Sequence, residues 1–80
     1  MVKVLFFATL KDKAGTRQTE FNLPAGTTIA QLKILTAEKF PGLQGSLDHC
    51  IAAVNHNYQP EEIEIPEQAE VAFFPPVSGG

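Results

Sequence analysis

Residues 28–42 read TIAQLKILTAEKFPG, and this stretch decides the fold class because it carries the one long helical pattern in the chain. Thr28 is typical of a helix N-cap, and Gln31 three residues later completes a capping box. The apolar stripe at helical spacing consists of Ile29, Leu32, Leu35, Thr36 and Phe40. Pro41 and Gly42 then end the pattern. We therefore predict one main helix whose apolar stripe is buried in the core.

Two strand patterns precede the helix. Val2–Ala8 is rich in β-branched and aromatic residues, and Arg17–Leu23 alternates weakly between polar and apolar positions. The polar stretch Lys11–Gly15 between them predicts a turn or loop, so we expect the two strands to pair as a hairpin. Pro24 and Gly26 separate the second strand from the helix.

Shorter strand patterns follow the helix. Cys50–Val54 is predicted as a buried strand, and Asn55–Asn57 as a polar turn. Glu61–Ile65 is predicted as a brief further strand and Glu70–Phe74 as the last one, since the prolines that follow cannot donate to a strand ladder. This order predicts an α+β fold, a mixed sheet with one main helix packed on one face. It suits the ubiquitin-like β-grasp, in which the first and last strands lie parallel at the centre.

Composition limits the classes of function. Eighty residues are enough for one domain. The net charge of −3 argues against nucleic-acid binding, which needs a basic surface. No apolar stretch has the length needed to span a membrane. The single cysteine excludes an internal disulfide and favours a reducing compartment, so we expect a cytoplasmic protein without membrane or nucleic-acid partners.

Alternation in the first and last strands predicts an apolar patch on the sheet face that the helix leaves uncovered. Lys3 and Glu70 mark this outer face, because charged side chains are seldom buried. The predicted inner residues are Val4, Phe6 and Ala8 in the first strand and Val71 and Phe73 in the last. The predicted outer apolar residues are Leu5, Phe7 and Phe74, with Tyr58 at their border. Such a patch marks a partner site, although these residues could instead lie under a loop or fill both sides of a thin core.

The chain ends in a segment of small or rigid residues. Its members are Pro75, Pro76, Val77, Ser78, Gly79 and Gly80. The prolines favour an extended backbone, six residues can reach roughly 20 Å, and glycine lets a backbone approach closely. We therefore predict a folded domain over residues 1–74 and an extended tail over 75–80, whose carboxylate enters a narrow channel in another protein. The alternative is a frayed terminus.

Other polar residues give weaker signals. Cys50 lies in an apolar run and is predicted to be a buried structural thiol rather than a nucleophile. His49 and His56 have no further ligand at metal-binding spacing, so we expect no metal site. The acidic residues of the second half are Glu61, Glu62, Glu64, Glu67 and Glu70. They could complement a basic partner, but we favour a solvated face.

Three segments carry a family resemblance. VLFFA at 4–8, AAVN at 52–55 and EVAFFPPVSGG at 70–80 resemble the small subunit of molybdopterin synthase, a ubiquitin-like sulfur carrier. The likeness covers essentially the whole chain, and its most specific part is the terminal FFPPVSGG. One departure is visible, because EQAEVAFF at 67–74 lacks the glycine of the acidic-Gly-acidic turn that members often carry there.

The resemblance implies a mechanism without catalytic side chains in this chain. A separate ubiquitin-activating-type enzyme would use ATP to adenylate the Gly80 carboxylate, and a sulfur donor protein would convert it to a thiocarboxylate. The tail would then give this sulfur to cyclic pyranopterin monophosphate inside the synthase large subunit, in a heterotetramer. Gly79 would let the backbone pass the narrowest part of the partner's channel, and residues 75–78 would set the course of the tail. No cofactor would stay bound to the carrier.

The resemblance also implies that Phe7, Phe74, Leu5 and Tyr58 dock on the large subunit. The chain would then be a sulfur-carrying co-substrate, a non-catalytic subunit of a sulfurtransferase complex. Three alternatives remain open at this point. They are sulfur carriage for thiamine or thiolated tRNA, protein modification through Gly80, and a plain binding module.

Overall fold

A computed structural model describes residues 1–76, in which a five-stranded sheet packs against the helices. The strands are β1 (Val2–Phe6), β2 (Gln18–Phe21), β3 (Ile51–Val54), β4 (Asn57–Gln59) and β5 (Glu70–Phe74). The helices are α1 (Thr9–Ala14) and α2 (Ile29–Lys39), and a 3-10 turn covers Pro41–Leu43. No helix among these described residues is long and apolar enough to cross a lipid bilayer.

The sheet has the strand order β2-β1-β5-β3-β4. β1 and β5 pair in parallel, and the other neighbouring strands pair antiparallel. The first and last strands therefore lie side by side at the centre, and α2 is the one main helix. This mixed α+β sheet is the ubiquitin-like β-grasp predicted from the order of elements.

One apolar core lies between the inner face of the sheet and the helices. β1 contributes Val2, Val4 and Phe6, and β5 contributes Val71 and Phe73. On the other side, the same cluster includes Leu10, Ile29 and Leu32 of the helices, Leu43 of the 3-10 turn and Leu47 after it. The alternation predicted for β1 is confirmed except at Ala8, which lies beyond the strand and is exposed.

The predicted capping box of α2 is present. The Thr28 hydroxyl accepts a hydrogen bond from the Gln31 N–H at 3.2 Å, and the Thr28 N–H donates to Gln31 Oε1 at 2.9 Å. These two bonds satisfy donors that a helix start leaves without partners. The helix ends at Lys39, two residues before the predicted stop at Pro41.

The predicted apolar stripe of α2 is wrong at one position. Leu35 is exposed, and Lys33 is buried in its place. At 3.6 residues per turn, Leu35 lies about 120° around the helix from Ile29, whereas Lys33 lies about 40° away. Lys33 therefore projects toward the core side, and Leu35 reaches the solvent side.

The connection between β1 and β2 is a helix and not the predicted turn or loop. Ala8 adopts φ 52° and ψ −129°, a conformation that L-residues rarely take, and it redirects the chain into α1. Leu10 of α1 is buried, and Gly15 ends the helix in the left-handed region with φ 79°. A six-residue helix with one buried apolar side chain gives almost no periodic signal in the sequence.

The chain after β3 also departs from the prediction. β4 begins at Asn57, after a tight turn in which Asn55 and His56 both have positive φ. The predicted strand over Glu61–Ile65 is wrong, because this segment forms only one isolated bridge, between Glu64 and Thr28. Its carbonyl groups instead accept hydrogen bonds from the first N–H groups of α2, such as Ile63 O from Ile29 N at 3.1 Å.

Candidate docking face

The outer face of the sheet carries a cluster of aromatic side chains. The rings of Phe7 and Phe74 are stacked, with centroids 4.7 Å apart and planes 13° from parallel. The Tyr58 ring meets Phe74 edge to face, at a centroid distance of 6.2 Å. Both geometries are favourable for aromatic pairs. Together with Leu5, which lies in the same depression, these residues form what we call the aromatic patch. The structure thus brings together the four residues predicted to form the outer patch.

Strand register explains this clustering. Leu5 of β1 is opposite Ala72 of β5, and Ala72 is opposite Ala53 of β3. Ala53 is in turn opposite Tyr58 of β4. The two alanines are small, so the larger side chains around them enclose a shallow depression of about 230 Å³.

The patch keeps a large exposed apolar area. Phe7 is 41% exposed and Tyr58 is 72% exposed. Ile51, the Cα partner of Phe74 in the β3–β5 ladder, adds a further exposed apolar side chain that the sequence reasoning missed. The signal for Ile51 was available, because it lies two residues from Ala53 and therefore on the same face of β3. Exposed apolar areas of this kind on small domains are typical of binding surfaces.

A row of charges borders one end of the patch. Lys3 of β1 lies between Glu20 of β2 and Glu70 of β5 in the strand register. The imidazole of His56, which is almost fully exposed, lies 4.0 Å from the Glu70 carboxylate. Alternating charges of this kind keep one end of the outer face hydrated, so the apolar area is confined to the other end.

The tail begins beside the patch, because β5 ends at Phe74 and Pro75 follows it directly. Pro75 is half-buried and Pro76 is exposed. The remaining predicted tail residues lie outside the described residues; these are Val77, Ser78, Gly79 and Gly80. Phe74 of the patch is therefore directly followed by Pro75, the first residue of the predicted tail.

The Cys50 thiol is buried, as predicted, and donates a hydrogen bond to the Ser46 carbonyl at 2.9 Å. Burial raises the pKa of this thiol above its ordinary value. A thiol held in the protonated form is a poor nucleophile. Within residues 1–76, no group of three or more histidine, cysteine, aspartate or glutamate side chains could hold a metal ion, and His49 and His56 lie on different segments.

An ion pair between buried Lys33 and exposed Glu61 joins α2 to the segment after β4. Lys33 Nζ donates to Glu61 Oε1 at 2.6 Å and to the Cys50 carbonyl at 3.0 Å. The hydrogen bond from Lys33 to the Glu61 carboxylate and the positive charge of Lys33 lower the pKa of Glu61. The sequence reasoning missed Lys33, although its position four residues after Ile29 was a usable signal. The neighbouring Glu62, Glu64 and Glu67 are exposed, in line with the solvated face favoured above.

Comparison with known proteins gives matches along the whole chain. The sequence profile of the ThiS family matches residues 4–80. A molybdopterin synthase sulfur carrier subunit from Drosophila yakuba is 39% identical over 82 residues, which cover 99% of this chain and 90% of that protein. A protein of the same name from Escherichia coli (strain K12) is 36% identical over 81 residues, covering 100% of both chains.

Solved structures share the same architecture. Small archaeal modifier protein 1 (SAMP1) from Haloferax volcanii superimposes with a TM-score of 0.87 at 24% identity, over 99% of this chain and 98% of that one. A chain from the complex of subunits 1 and 2 of the molybdopterin-converting factor of Helicobacter pylori gives a TM-score of 0.68 at 20% identity, over 99% and 97% of the two chains. At these identities the likeness shows a shared fold.

Proposed function

This chain belongs to the ThiS family, and from that membership we propose that it is a sulfur carrier for molybdenum cofactor biosynthesis. The observation that carries the proposal is the full-length match to relatives named molybdopterin synthase sulfur carrier subunit. The exposed aromatic patch beside the start of the tail supports it, because a carrier must dock on partners while its chain end reaches their active sites.

The proposed chemistry takes place at the Gly80 carboxylate. A carboxylate is a poor electrophile, and adenylation by an activating enzyme that uses ATP supplies a leaving group. The terminal sulfur of a persulfide on the donor protein attacks the acyl carbon, and the bond to AMP breaks. A second thiol then attacks the donor sulfur of the resulting acyl disulfide, which forms a disulfide on the donor side and releases the thiocarboxylate. Sulfur is a stronger nucleophile than oxygen, so the thiocarboxylate sulfur can attack cyclic pyranopterin monophosphate and displace an oxygen substituent. Hydrolysis of the resulting thioester leaves the sulfur on the pterin and returns the Gly80 carboxylate, and two sulfur-loaded carriers supply the two sulfurs of the dithiolene.

In this proposal the domain supplies binding and direction, and no side chain of its own reacts. The aromatic patch packs against an apolar surface of the synthase large subunit. Pro75 and Pro76 start the tail in an extended course, residues 77–79 thread through the channel, and Gly80 reaches the pterin. We propose two carriers and two large subunits per complex and a cytoplasmic cycle, with no cofactor permanently bound to the carrier.

Reconstitution tests the proposal. The thiocarboxylated chain, a molybdopterin synthase large subunit and cyclic pyranopterin monophosphate are mixed, and formation of the dithiolene product is measured. We expect product with the full chain and none after deletion of Gly80, while circular dichroism shows the same folded signal for both. Full product formation by the shortened chain would exclude Gly80 as the sulfur-bearing residue.

Mass spectrometry of the protein isolated from its native cell separates the alternatives. A mass increase equal to exchange of one oxygen for sulfur supports a carrier. Gly-Gly remnants on lysines of other proteins would support a modifier instead. Sulfur carriage for thiamine or tRNA would use the same thiocarboxylated form. It is distinguished by supplying a thiamine precursor or tRNA as the acceptor in place of the pterin and measuring sulfur transfer.

A further inference from the structure

A second groove borders the aromatic patch on its β2 side. It shares Leu5 and Phe7 with the patch, and its remaining wall includes Ala8, Lys11, Arg17 and Gln18. Its volume is about 390 Å³. We call this concavity the basic groove, because two cationic side chains line its edge above an apolar floor.

The backbone positions both Lys11 and Arg17 beside this groove. The Phe6 N–H donates to the Arg17 carbonyl at 2.8 Å, which holds Arg17 beside the end of β1. Ala8 turns the chain into α1 directly after Phe7, and α1 carries Lys11 to the groove. Lys13 lies two residues further, on the opposite side of α1. Its Nζ donates to Ser46 Oγ at 2.9 Å, away from the groove.

The two cations are not neutralised by nearby carboxylates. Within residues 1–76, no carboxylate oxygen lies within 4 Å of the side-chain nitrogens of Lys11 or Arg17. All six lysines and arginines of the chain lie in residues 1–39, whereas residues 40–80 contain Asp48 and five glutamates. On the outer face, the basic groove lies at the end from which the predicted tail leaves, opposite the end that holds Lys3, Glu20 and Glu70.

We propose that the basic groove receives an acidic segment of the partner protein that docks on the aromatic patch. An apolar side chain of this segment packs on Leu5 and Phe7, and flanking carboxylates pair with Lys11 and Arg17. The groove is continuous with the proposed docking face, so this inference rests on the proposed function for the identity of the partner. Charge pairing at one end of a face increases the rate of association and fixes orientation. Here it directs the tail end of the carrier toward the partner.

A peptide probe tests the groove without any partner protein. A capped peptide of alternating glutamate and leucine is titrated into isotope-labelled full-length protein, and amide chemical shifts are recorded. We expect changes at Leu5, Phe7, Lys11 and Gln18, and none with a lysine–leucine peptide. The changes disappear in the Lys11→Glu/Arg17→Glu variant and persist in Lys13→Glu. Absence of changes in the wild type, changes centred elsewhere, or their persistence in the double variant would each refute the groove.

Binding to a synthase large subunit provides the second test. We expect the dissociation constant of Lys11→Glu/Arg17→Glu to rise by about tenfold or more, with a weaker dependence on salt. Lys13→Glu makes the same change of charge on α1 as Lys11→Glu does. Its dissociation constant should stay within about twofold of the wild-type value. The single variant Lys11→Glu should give an intermediate dissociation constant. It keeps the test valid if circular dichroism shows that the double variant is misfolded.

The two proposals fail in different ways. In one outcome, Phe74→Ala weakens binding to the large subunit while the double variant binds it as the wild type does. That result would refute the binding of an acidic segment in the basic groove and leave the proposed docking face supported. If the wild-type chain does not bind the large subunit at all, the proposed function is refuted, and the peptide shifts decide the basic groove alone.

Discussion

Phe73 and Phe74 are consecutive in the chain, and their rings lie on opposite faces of the central strand β5. Phe73 is fully buried in the core, whereas Phe74 is half-buried and stacks on Phe7 at 4.7 Å. The two rings have nearly the same chemistry, so they allow the stability of the domain and its proposed docking to be separated by neighbouring substitutions.

Phe73→Ala is expected to lower the free energy of unfolding by about 3–5 kcal/mol, the usual cost of removing a fully buried phenylalanine. A domain of this size is only marginally stable, so the variant should be largely unfolded at modest urea concentrations. Urea denaturation followed by circular dichroism measures the effect. A loss below about 1 kcal/mol would show that the core collapses around the missing ring.

Phe74→Ala is expected to change stability far less, by about 1 kcal/mol, while weakening large-subunit binding by about 2 kcal/mol or more, as for a central aromatic anchor. Isothermal titration calorimetry gives the dissociation constant. Ile34→Ala serves as a matched control, because Ile34 is an exposed apolar residue on α2. An unchanged dissociation constant for Phe74→Ala would remove this ring from the interface.

Glu61→Gln is expected to make the stability of the domain less dependent on pH. Lys33 lowers the pKa of Glu61 below its ordinary value of 4.5, so the folded state holds this proton less tightly than the unfolded state. The ion pair therefore stabilises the fold above pH 4.5, and its contribution is lost as the pH falls through the lowered pKa. Melting temperatures should differ at neutral pH and converge in acid. A constant difference across that range would contradict this linkage.

Gln68→Gly is expected to stabilise the domain by about 1 kcal/mol. Gln68 adopts φ 60°, a left-handed conformation that is unfavourable for a residue with a Cβ and open to glycine. Gln68→Ala, which keeps the Cβ, should give no such gain. Thermal melts of the three proteins compare these effects, and a destabilised glycine variant would mean that lost chain entropy outweighs the relief of strain.

Cys50 is expected to react slowly with thiol reagents in the folded protein, because it is buried and its pKa is raised by that burial. Its modification by iodoacetamide should accelerate strongly in urea. Cys50→Ala should still support sulfur transfer in the reconstituted reaction. Loss of transfer in a folded Cys50→Ala variant would give this thiol a chemical role.

The sequence was sufficient for β1, β5 and α2 because their signals are local and strong. Alternation in β1 and β5 separated the inner Phe6 and Phe73 from the outer Phe7 and Phe74, and the Thr28–Gln31 capping box marked the start of α2. α1 could not be predicted, since six residues with one buried leucine carry little periodicity. Its start also depends on the strained conformation of Ala8, which no propensity favours.

The aromatic patch was predicted in outline because β-strand alternation specifies a face. Its details depend on register, which sequence alone does not supply. Ile51 is placed opposite Phe74 by the β3–β5 pairing, and Arg17 reaches the same surface through a backbone hydrogen bond to Phe6. Lys33 was missed because a lysine inside an apolar stripe is normally taken to face solvent, whereas here Glu61 and the Cys50 carbonyl compensate its charge.

The central position of β5 also has a mechanical consequence. Hydrogen-bonded ladders to β1 and β3 hold this strand along both edges. A partner that pulls on the chain beyond Pro76 loads both ladders lengthwise, so many bonds share the force at once instead of breaking one after another. The domain therefore resists a pull at this point without unravelling.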